Sequence, residues 1–474
     1  MEREVEHNCY VSAAHTLHDT YSMAQSLSHR GKDSTGLIAW GHNGIDVLKW
    51  RGPVNTFGNK ALQRIFPAQR YHSFAIHGRY KTKGSVEISL DEGHPHTLGG
   101  IVEDRGNHRF IFDCDLAMIH NGQVNINDLT EVDRTKLKTN CDTEALASYY
   151  YSFGAETLLR KVPASYTLIV AERKSDGLKI IRDRFGVKPG CVGEKDGLDI
   201  MASESVAFSD IAATFSYDLR GGSIYQLGFD GKIKSPKFVV PNNRAHCFFE
   251  YNYISSPKST IDGAGVLSIR RALGEELANE IDINVDFVSY IPESPRDAAW
   301  AFAQKKGLPF IETFYKVKSE RSFQSPTQLA REASIDGNLF LLPEVCDNSL
   351  RGKTGIWIDD SIVRGTVGKR ASPLLYKIAG IKEVHLASYT PQIGIIGKDG
   401  VARGCDQGGV DMPSIEHLNH TFLARNRTPE QINEKMGCFV HYISNEGMQK
   451  VFRQKGMPSE SMCMFCIGGE NRFL

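Results

Sequence analysis

The segment Gly355-Ile356-Trp357-Ile358-Asp359-Asp360-Ser361-Ile362-Val363-Arg364-Gly365-Thr366 runs from a short apolar stretch into two adjacent carboxylates, then into small, polar and glycine residues. A helical pattern through Leu374, Leu375 and Ile378 follows it. The order is therefore strand, loop, helix. A loop that opens a helix presents backbone N–H groups to an anion, and the helix dipole favours negative charge there. The two carboxylates suit ribose hydroxyls or a hydrated Mg²⁺.

Around this segment the chain alternates helix and strand. Val266, Ile269, Leu273, Leu277 and Ile281 recur at helical spacing, Val285 to Ile291 reads as a strand, Ala298 to Gln304 as a helix, and Glu383 to Ser388 as the strand after the opening segment. This rhythm predicts a mostly parallel sheet with helices on both faces. Thr428-Pro429-Glu430-Gln431 has the N-cap, N1 proline and N3 glutamine of a capped helix that ends near Gly437, and a second helix starts at about Asn445. Pro236 to Asn243 marks the junction with a first half of a different kind, giving a leader over residues 1–8, a domain over 9–240 and a second over 241–474.

The first half is strand-rich. Short β-like runs occur at Leu37 to Trp40, Ser73 to Ile76, Leu116 to Ile119, Tyr166 to Ala171 and Leu178 to Arg182. A helix is predicted from about Ala13 to Arg30, with Leu17, Tyr21, Ala24 and Leu27 on one face and Gly31 as its C-cap, and another near 143–152. The fold class is thus α/β and α+β.

Bulk composition bounds the function. The 474 residues predict two to four domains, and 56 basic residues against 56 acidic ones give no net charge to attract nucleic acid or an anionic membrane. No apolar run reaches the roughly 18 residues of a membrane helix, and the polar start, Met1 to Asn8, lacks a signal-peptide core. The expectation is a cytoplasmic protein.

Several motifs stand in a fixed order in the first half: Ser28 to Gly36, His77-Gly78-Arg79-Tyr80-Lys81-Thr82, His120-Asn121-Gly122, Cys141-Asp142-Thr143-Glu144 and Arg182-Asp183-Arg184-Phe185-Gly186. Each alone is weak, since Asn-Gly is also a turn signal and Asp-Thr-Glu also a helix start. Their order and spacing resemble the class II glutamine amidotransferase domain, an N-terminal-nucleophile hydrolase with an αββα sandwich. The resemblance implies that Cys9 becomes the N-terminal nucleophile once the leader is removed, with its own α-amine as base. It further implies Asn121 and Gly122 as oxyanion donors, and Arg79 and Asp142 as the clamps on the α-carboxylate and α-amine of glutamine. This chain departs from the family at Tyr10, where glycine is usual, and at Lys81 and Lys83.

The opening segment resembles the phosphoribosyl pyrophosphate (PRPP) loop of type I phosphoribosyltransferases. Ile291-Pro292-Glu293-Ser294 resembles their pyrophosphate loop, and Arg321-Ser322-Phe323, with Pro326 and Gln328, the loop that closes over PRPP. The departures here are Glu293-Ser294-Pro295 in place of Asp-Ser-Gly, and Tyr315 to Glu320, where Lys316 and Lys318 are the remaining cations. With both halves together, nearly the whole chain resembles the glutamine phosphoribosylpyrophosphate amidotransferases, in a divergent form of their iron–sulfur, leader-peptide type.

Ten cysteines in such a chain suit thiols, metal ligands or a nucleophile better than disulfides. Cys463-Met464-Phe465-Cys466 alone is ambiguous between zinc, redox chemistry and nothing. Four thiolates suit a structural zinc or a [4Fe–4S] cluster. The resemblance implies the cluster on Cys247, Cys405, Cys463 and Cys466, in a structural role, with Cys438 in the core.

The activity implied is hydrolysis of glutamine, internal passage of ammonia, and its attack on C1 of PRPP to give 5-phosphoribosylamine and pyrophosphate, the first step of purine synthesis. Asp359 and Asp360 would hold the ribose hydroxyls, Ser361, Ile362, Val363, Arg364, Gly365 and Thr366 the 5′-phosphate, and Arg321 would close over the substrate. Mg²⁺ would sit at Ser294, Asp359 and Asp360. Purine nucleotides would act as feedback inhibitors on a homo-oligomer, a tetramer or dimer. Two alternatives stand beside this: an ammonia-dependent phosphoribosyltransferase with impaired glutaminase, and a non-catalytic nucleotide-sensing paralogue.

Overall fold

A computed structural model describes residues 9–80, 89–241, 244–316, 334–335, 339–347, 349–406, 409–410, 412–416 and 421–470. The leader, Lys81, Lys83, Lys318, Arg321, Pro326 and Gln328 lie outside the described residues.

The first domain is built on thirteen strands: β1 (Tyr10–Ala14), β2 (Ser34–Gly41), β3 (Gly44–Arg51), β4 (Ser73–Arg79), β5 (His96–Asp104), β6 (His108–Gln123), β7 (Ser165–Glu172), β8 (Gly177–Arg182), β9 (Cys191–Lys195), β10 (Leu198–Ala202), β11 (Thr214–Asp218), β12 (Ser223–Gly228) and β13 (Ile233–Phe238). They form one continuous antiparallel ladder in the order β11-β9-β10-β1-β4-β2-β3-β6-β7-β8-β12-β13, with β5 also on β6. The ladder curls, so its two ends become the two sheets of a sandwich. Val11, Ile38, Val47, Ile119, Ile169 and Ile180 fill the space between them. Helices α1 (Leu17–Ser26) and α2 (Asn59–Ile65) cover one outer face, and α3 (Asp142–Lys161) the other.

The predicted helix from Ala13 to Arg30 is corrected at both ends. Tyr10 to Ala14 is strand, paired to both β4 and β10 and buried throughout. A strand covered on both faces shows no polar alternation, so its apolar residues read on into the helix. Thr16 starts α1, its hydroxyl accepting from Asp19 N at 3.1 Å. The helix stops at Ser26, and Gly31 is no C-cap. Gly31 is instead where two backbones meet, since a Cβ there would lie 2.5 Å from Gly78 O.

The second domain has the expected parallel sheet. Its strands run in the order Phe287–Tyr290, Thr354–Asp359, Glu383–Ser388, Phe439–Tyr442, all parallel. The helices Val266–Glu280, Arg296–Lys306 and Asn445–Gln454 pack on one face through Leu273, Phe302 and Val451. The helices Thr366–Lys377 and Pro429–Met436 pack on the other through Leu375 and Ile432. The Thr428 capping box forms, and the helix it opens ends at a left-handed Gly437. Among the described residues no helix is long and apolar enough to cross a membrane.

Candidate functional site

Cys9 lies one residue before β1, and Tyr10 pairs with Gly78, which sets Cys9 beside Arg79 at the end of β4. Arg79 Nη1 donates to Glu92 O at 2.6 Å. Burial pushes the Cys9 thiol up, and the Tyr80 backbone N–H, Arg79 and Lys188 work against that rise. Asp142 is the first residue of α3, and its carboxylate accepts from Val124 N at 2.8 Å. Asn121 is wholly buried and reaches across to Ser203 Oγ at 3.4 Å, which itself accepts from Val11 N at 2.9 Å. Asn121-Gly122 is therefore no turn: both lie within β6. Glycine is required at 122 because a Cβ would sit 2.0 Å from Ser165 O.

Tyr10, the departure from the family, has a built accommodation. Its ring is fully buried over Gly78, where a Cβ would lie 2.1 Å from Tyr10 Cε1. The missing side chain at 78 makes room for the extra one at 10.

A buried charge network, not foreseen from sequence, ties Cys9 to the second domain. Arg30 Nε donates to Cys9 O at 3.0 Å. Its Nη1 donates to Glu204 Oε1 at 2.6 Å and Glu250 Oε2 at 2.9 Å, and its Nη2 to Glu250 Oε1 at 3.1 Å. Lys188 Nζ donates to Glu250 Oε1 at 3.1 Å and Gly409 O at 2.7 Å. Burial raises the two carboxyls, but His29 and Arg30 at Glu204, and Arg30 and Lys188 at Glu250, outweigh it and hold both low. Paired bonds of this sort fix geometry as well as charge. Arg30 stands inside one of the quoted motifs, but its partners are 174 and 220 residues away in sequence, so nothing local points to them.

Asp359 ends the second strand of the parallel sheet and Asp360 follows it, at the carboxyl edge where open α/β sheets bind ligands. Asp360 N donates to Asp359 Oδ1 at 2.9 Å, and Ser361 Oγ to Asp360 Oδ1 at 3.0 Å. The turn closes at Gly365 (φ 72°), and among the described residues no side chain caps the helix that begins at Thr366. A helix start without a side-chain cap leaves its first amides in need of another acceptor. Val363 O accepts from Leu423 N at 2.7 Å, which fixes the loop from below. Ile291 N donates to Ile358 O at 3.0 Å, bringing Glu293 and Ser294 to the same edge. Pro295 is the N-cap of the following helix, whose Ala299 N donates to Pro295 O at 2.9 Å, so the proline stands at a position where a helix needs no N–H. The carboxylates and Ser294 are hard oxygen donors of the kind Mg²⁺ takes.

The four predicted cysteines converge. Cys247 pairs with Cys463 across a two-residue parallel ladder, and Gly409 packs between Cys247 and Cys405, its notional Cβ 3.2 and 3.4 Å from their sulfurs. Burial raises the Cys466 thiol, and Cys405, Cys463 and Cys247 add to the rise. Cys438 is apart from them, in the core on the other face of the sheet.

Residues 102–228 match a glutamine amidotransferase domain family. Over the whole length the chain is 31% identical to the amidophosphoribosyltransferase of Archaeoglobus fulgidus, covering 93% of this chain and 92% of the relative. That of Methanocaldococcus jannaschii is 30% identical, covering 94% and 92%. The chain belongs to the amidophosphoribosyltransferase family. Two solved structures share the fold of that family with it, each at a TM-score of 0.76. One is the Bacillus subtilis glutamine PRPP amidotransferase complexed with ADP and GMP, at 24% identity over 98% of this chain and 96% of that one. The other is described as the allosteric regulatory enzyme of purine biosynthesis, at 25% identity over 98% and 95%. The amidotransferase family match falls on β5 to β12, the strands that carry Asn121 and Gly122 and that flank Asp142.

Proposed function

We propose that this amidophosphoribosyltransferase family member takes nitrogen from glutamine at Cys9 and transfers it to C1 of PRPP at Asp359–Thr366. One observation carries the reading: a cysteine with Arg79 and Asp142 in its electrostatic surroundings is joined, through the buried Arg30–Glu250 pair, to a domain with a carboxylate-bearing anion loop at a parallel sheet edge. The Cys9 α-amine takes the thiol proton as sulfur adds to the amide carbon, and the oxygen gains charge against the Asn121 side chain and Gly122 N–H. The amine returns that proton to the nitrogen as the C–N bond breaks and ammonia leaves. Water then cleaves the thioester to glutamate. At the second site Asp359 and Asp360 orient the ribose, and the amides from Ser361 to Thr366 hold the 5′-phosphate while ammonia attacks C1 and pyrophosphate departs. Mg²⁺ at Ser294, Asp359 and Asp360 would neutralise the leaving group.

Cys247, Cys405, Cys463 and Cys466 are close, mutually interacting thiols. Four thiolates suit a [4Fe–4S] cluster or a structural zinc; the reading favours the cluster. The cluster would fasten the chain's last helices to the start of the domain. Purine nucleotides as feedback ligands, and a homo-oligomer, belong to the same reading, supported by the nucleotide-bound and allosteric descriptions of the structural neighbours.

The test is the intact mass of anaerobically purified protein, with pyrophosphate release from PRPP and Mg²⁺ measured using glutamine and using ammonia. Release with both, and a mass beginning at Cys9, is expected. Release with ammonia alone from a chain retaining Met1 to Asn8 removes the glutamine half, and no release with either removes the whole.

A further inference from the structure

His94, His96 and Cys141 lie outside every residue assigned above, yet one donor atom from each lies within 4.8 Å of the other two. His96 opens β5, His94 stands just before it, and Cys141 is the residue before α3. The two imidazoles are 6% and 4% exposed. Each has a ring nitrogen with no partner among the described residues: Nδ1 of His94 and Nε2 of His96. The other nitrogen of His94 is occupied, 2.8 Å from Thr143 Oγ1, whose hydroxyl is in turn 3.3 Å from Asp142 Oδ1. The same hydroxyl is 3.0 Å from His120 Nδ1. With its one proton given to Asp142 or to His120, Thr143 accepts from His94 Nε2–H, and Nδ1 of His94 then carries the bare lone pair. This carboxylate–hydroxyl–imidazole relay is the outer support that metal-bound histidines use.

We propose that His94, His96 and Cys141 bind a divalent cation of zinc type, with one coordination position left open. Two imidazoles and one thiolate suit Zn²⁺ over Mg²⁺ or Ca²⁺, which require oxygen donors. Tetrahedral binding at about 2.0–2.3 Å sets donors about 3.5 Å apart, so separations already within 4.8 Å need only a small side-chain adjustment on loading. The fixed cations nearby are Lys49, whose Nζ is held by Gly93 O at 2.8 Å, and Arg79, which is held by Glu92 O. The thiolate and Asp142, 3.7 Å from Cys141 Sγ, balance the charge. The ion staples the start of α3, and with it Asp142, to β5. Its placement beside a glutamine clamp rests on the proposed function; the metal site does not.

The four-cysteine centre also takes metal, so the test compares variants of the full chain. Wild type, Cys141→Ser, His96→Asn and His94→Asn are stripped with chelator, reloaded with Zn²⁺ or Co²⁺ and assayed for metal per chain. Circular dichroism and ammonia-dependent pyrophosphate release are read on the same samples. Expected is the loss of one equivalent of Zn²⁺ in each variant, with the spectrum and the release rate retained, and for wild type an X-ray absorption shell containing imidazole nitrogen that the histidine variants lose. Equal metal content in wild type and all folded variants, or a sulfur-only shell, overturns the site. If one variant fails to fold, the other two decide. Absent pyrophosphate release with the metal loss intact would instead strike the amidation reading.

Discussion

Arg30 and Glu250, 220 residues apart, meet in a bidentate pair at 2.9 and 3.1 Å, and the same guanidinium holds the Cys9 carbonyl at 3.0 Å. The cysteine's backbone is thus fixed by a charge that the other domain neutralises. Removing one partner of a buried pair leaves an uncompensated charge, a loss of about 3–5 kcal/mol. Glu250→Ala is expected to lower the urea midpoint accordingly. Glutamine-dependent release should fall further than ammonia-dependent release, and equal losses would argue against the positioning of Cys9 by Arg30.

Acid should loosen the same interface. Glu204, Glu250 and Asp262 are held below the ordinary carboxylate range, Asp262 by Arg182 and His246 against its burial. A folded-state pKa below the unfolded one gives stability that is complete above the unfolded carboxylate value of about 4.3 and is lost as pH falls toward the folded value. Burial also holds the His77, His94, His96 and His120 imidazoles below their ordinary value. The melting temperature should therefore begin to fall as pH drops through about 6.5, and fall more steeply below about pH 4.5, where the carboxylates are protonated. A profile flat to about pH 3 would contradict the network.

Tyr10 and Gly78 form a size-matched pair, so their substitutions should couple. Gly78→Ala forces a methyl into the Tyr10 ring, an overpacking cost of about 1–3 kcal/mol. Tyr10→Gly empties a fully buried site at about 3–5 kcal/mol. In the double variant the cost of Gly78→Ala should vanish, which equilibrium denaturation of wild type, both single variants and the double variant measures. Additivity would show that the contact is not what accommodates Tyr10.

Asp359→Asn removes one charge from the sheet edge while keeping its size. We expect ammonia-dependent pyrophosphate release to fall on the order of 100-fold through loss of substrate orientation, with glutamine hydrolysis in the absence of PRPP unchanged. Steady-state kinetics of the two half-reactions check this.

Cys466→Ser should abolish bound iron and its visible absorption, while Cys438→Ser keeps both, because Cys438 packs in the core on the opposite face of the sheet. Iron retained in the first variant would mean that the cluster lies elsewhere or that three ligands hold it.

The parallel sheet, its helices, the Asp359–Thr366 loop and the Thr428 cap were legible in the residues, because each depends on neighbours within about one turn or one strand. The start of β1 was not: a strand buried on both faces carries no alternation, and Tyr10 to Ala14 merges with the helix behind it. The turn signal that Asn121-Gly122 also carries is overridden, since pairing with Thr167 and Tyr166 keeps both residues in strand.

By itself, then, the sequence determined a strand-rich first half, a second half that alternates strand and helix, and the strand–loop–helix unit at Gly355 to Thr366. Only the tertiary structure decided that Gly78 makes room for Tyr10, that Arg30 joins Cys9 to Glu250, and that donor atoms of two histidines and a cysteine lie within 4.8 Å of one another. The physical reason is the same each time. Steric complementarity, buried charge pairing and metal-type coordination are set by distance in space, and none leaves a periodic trace along the chain.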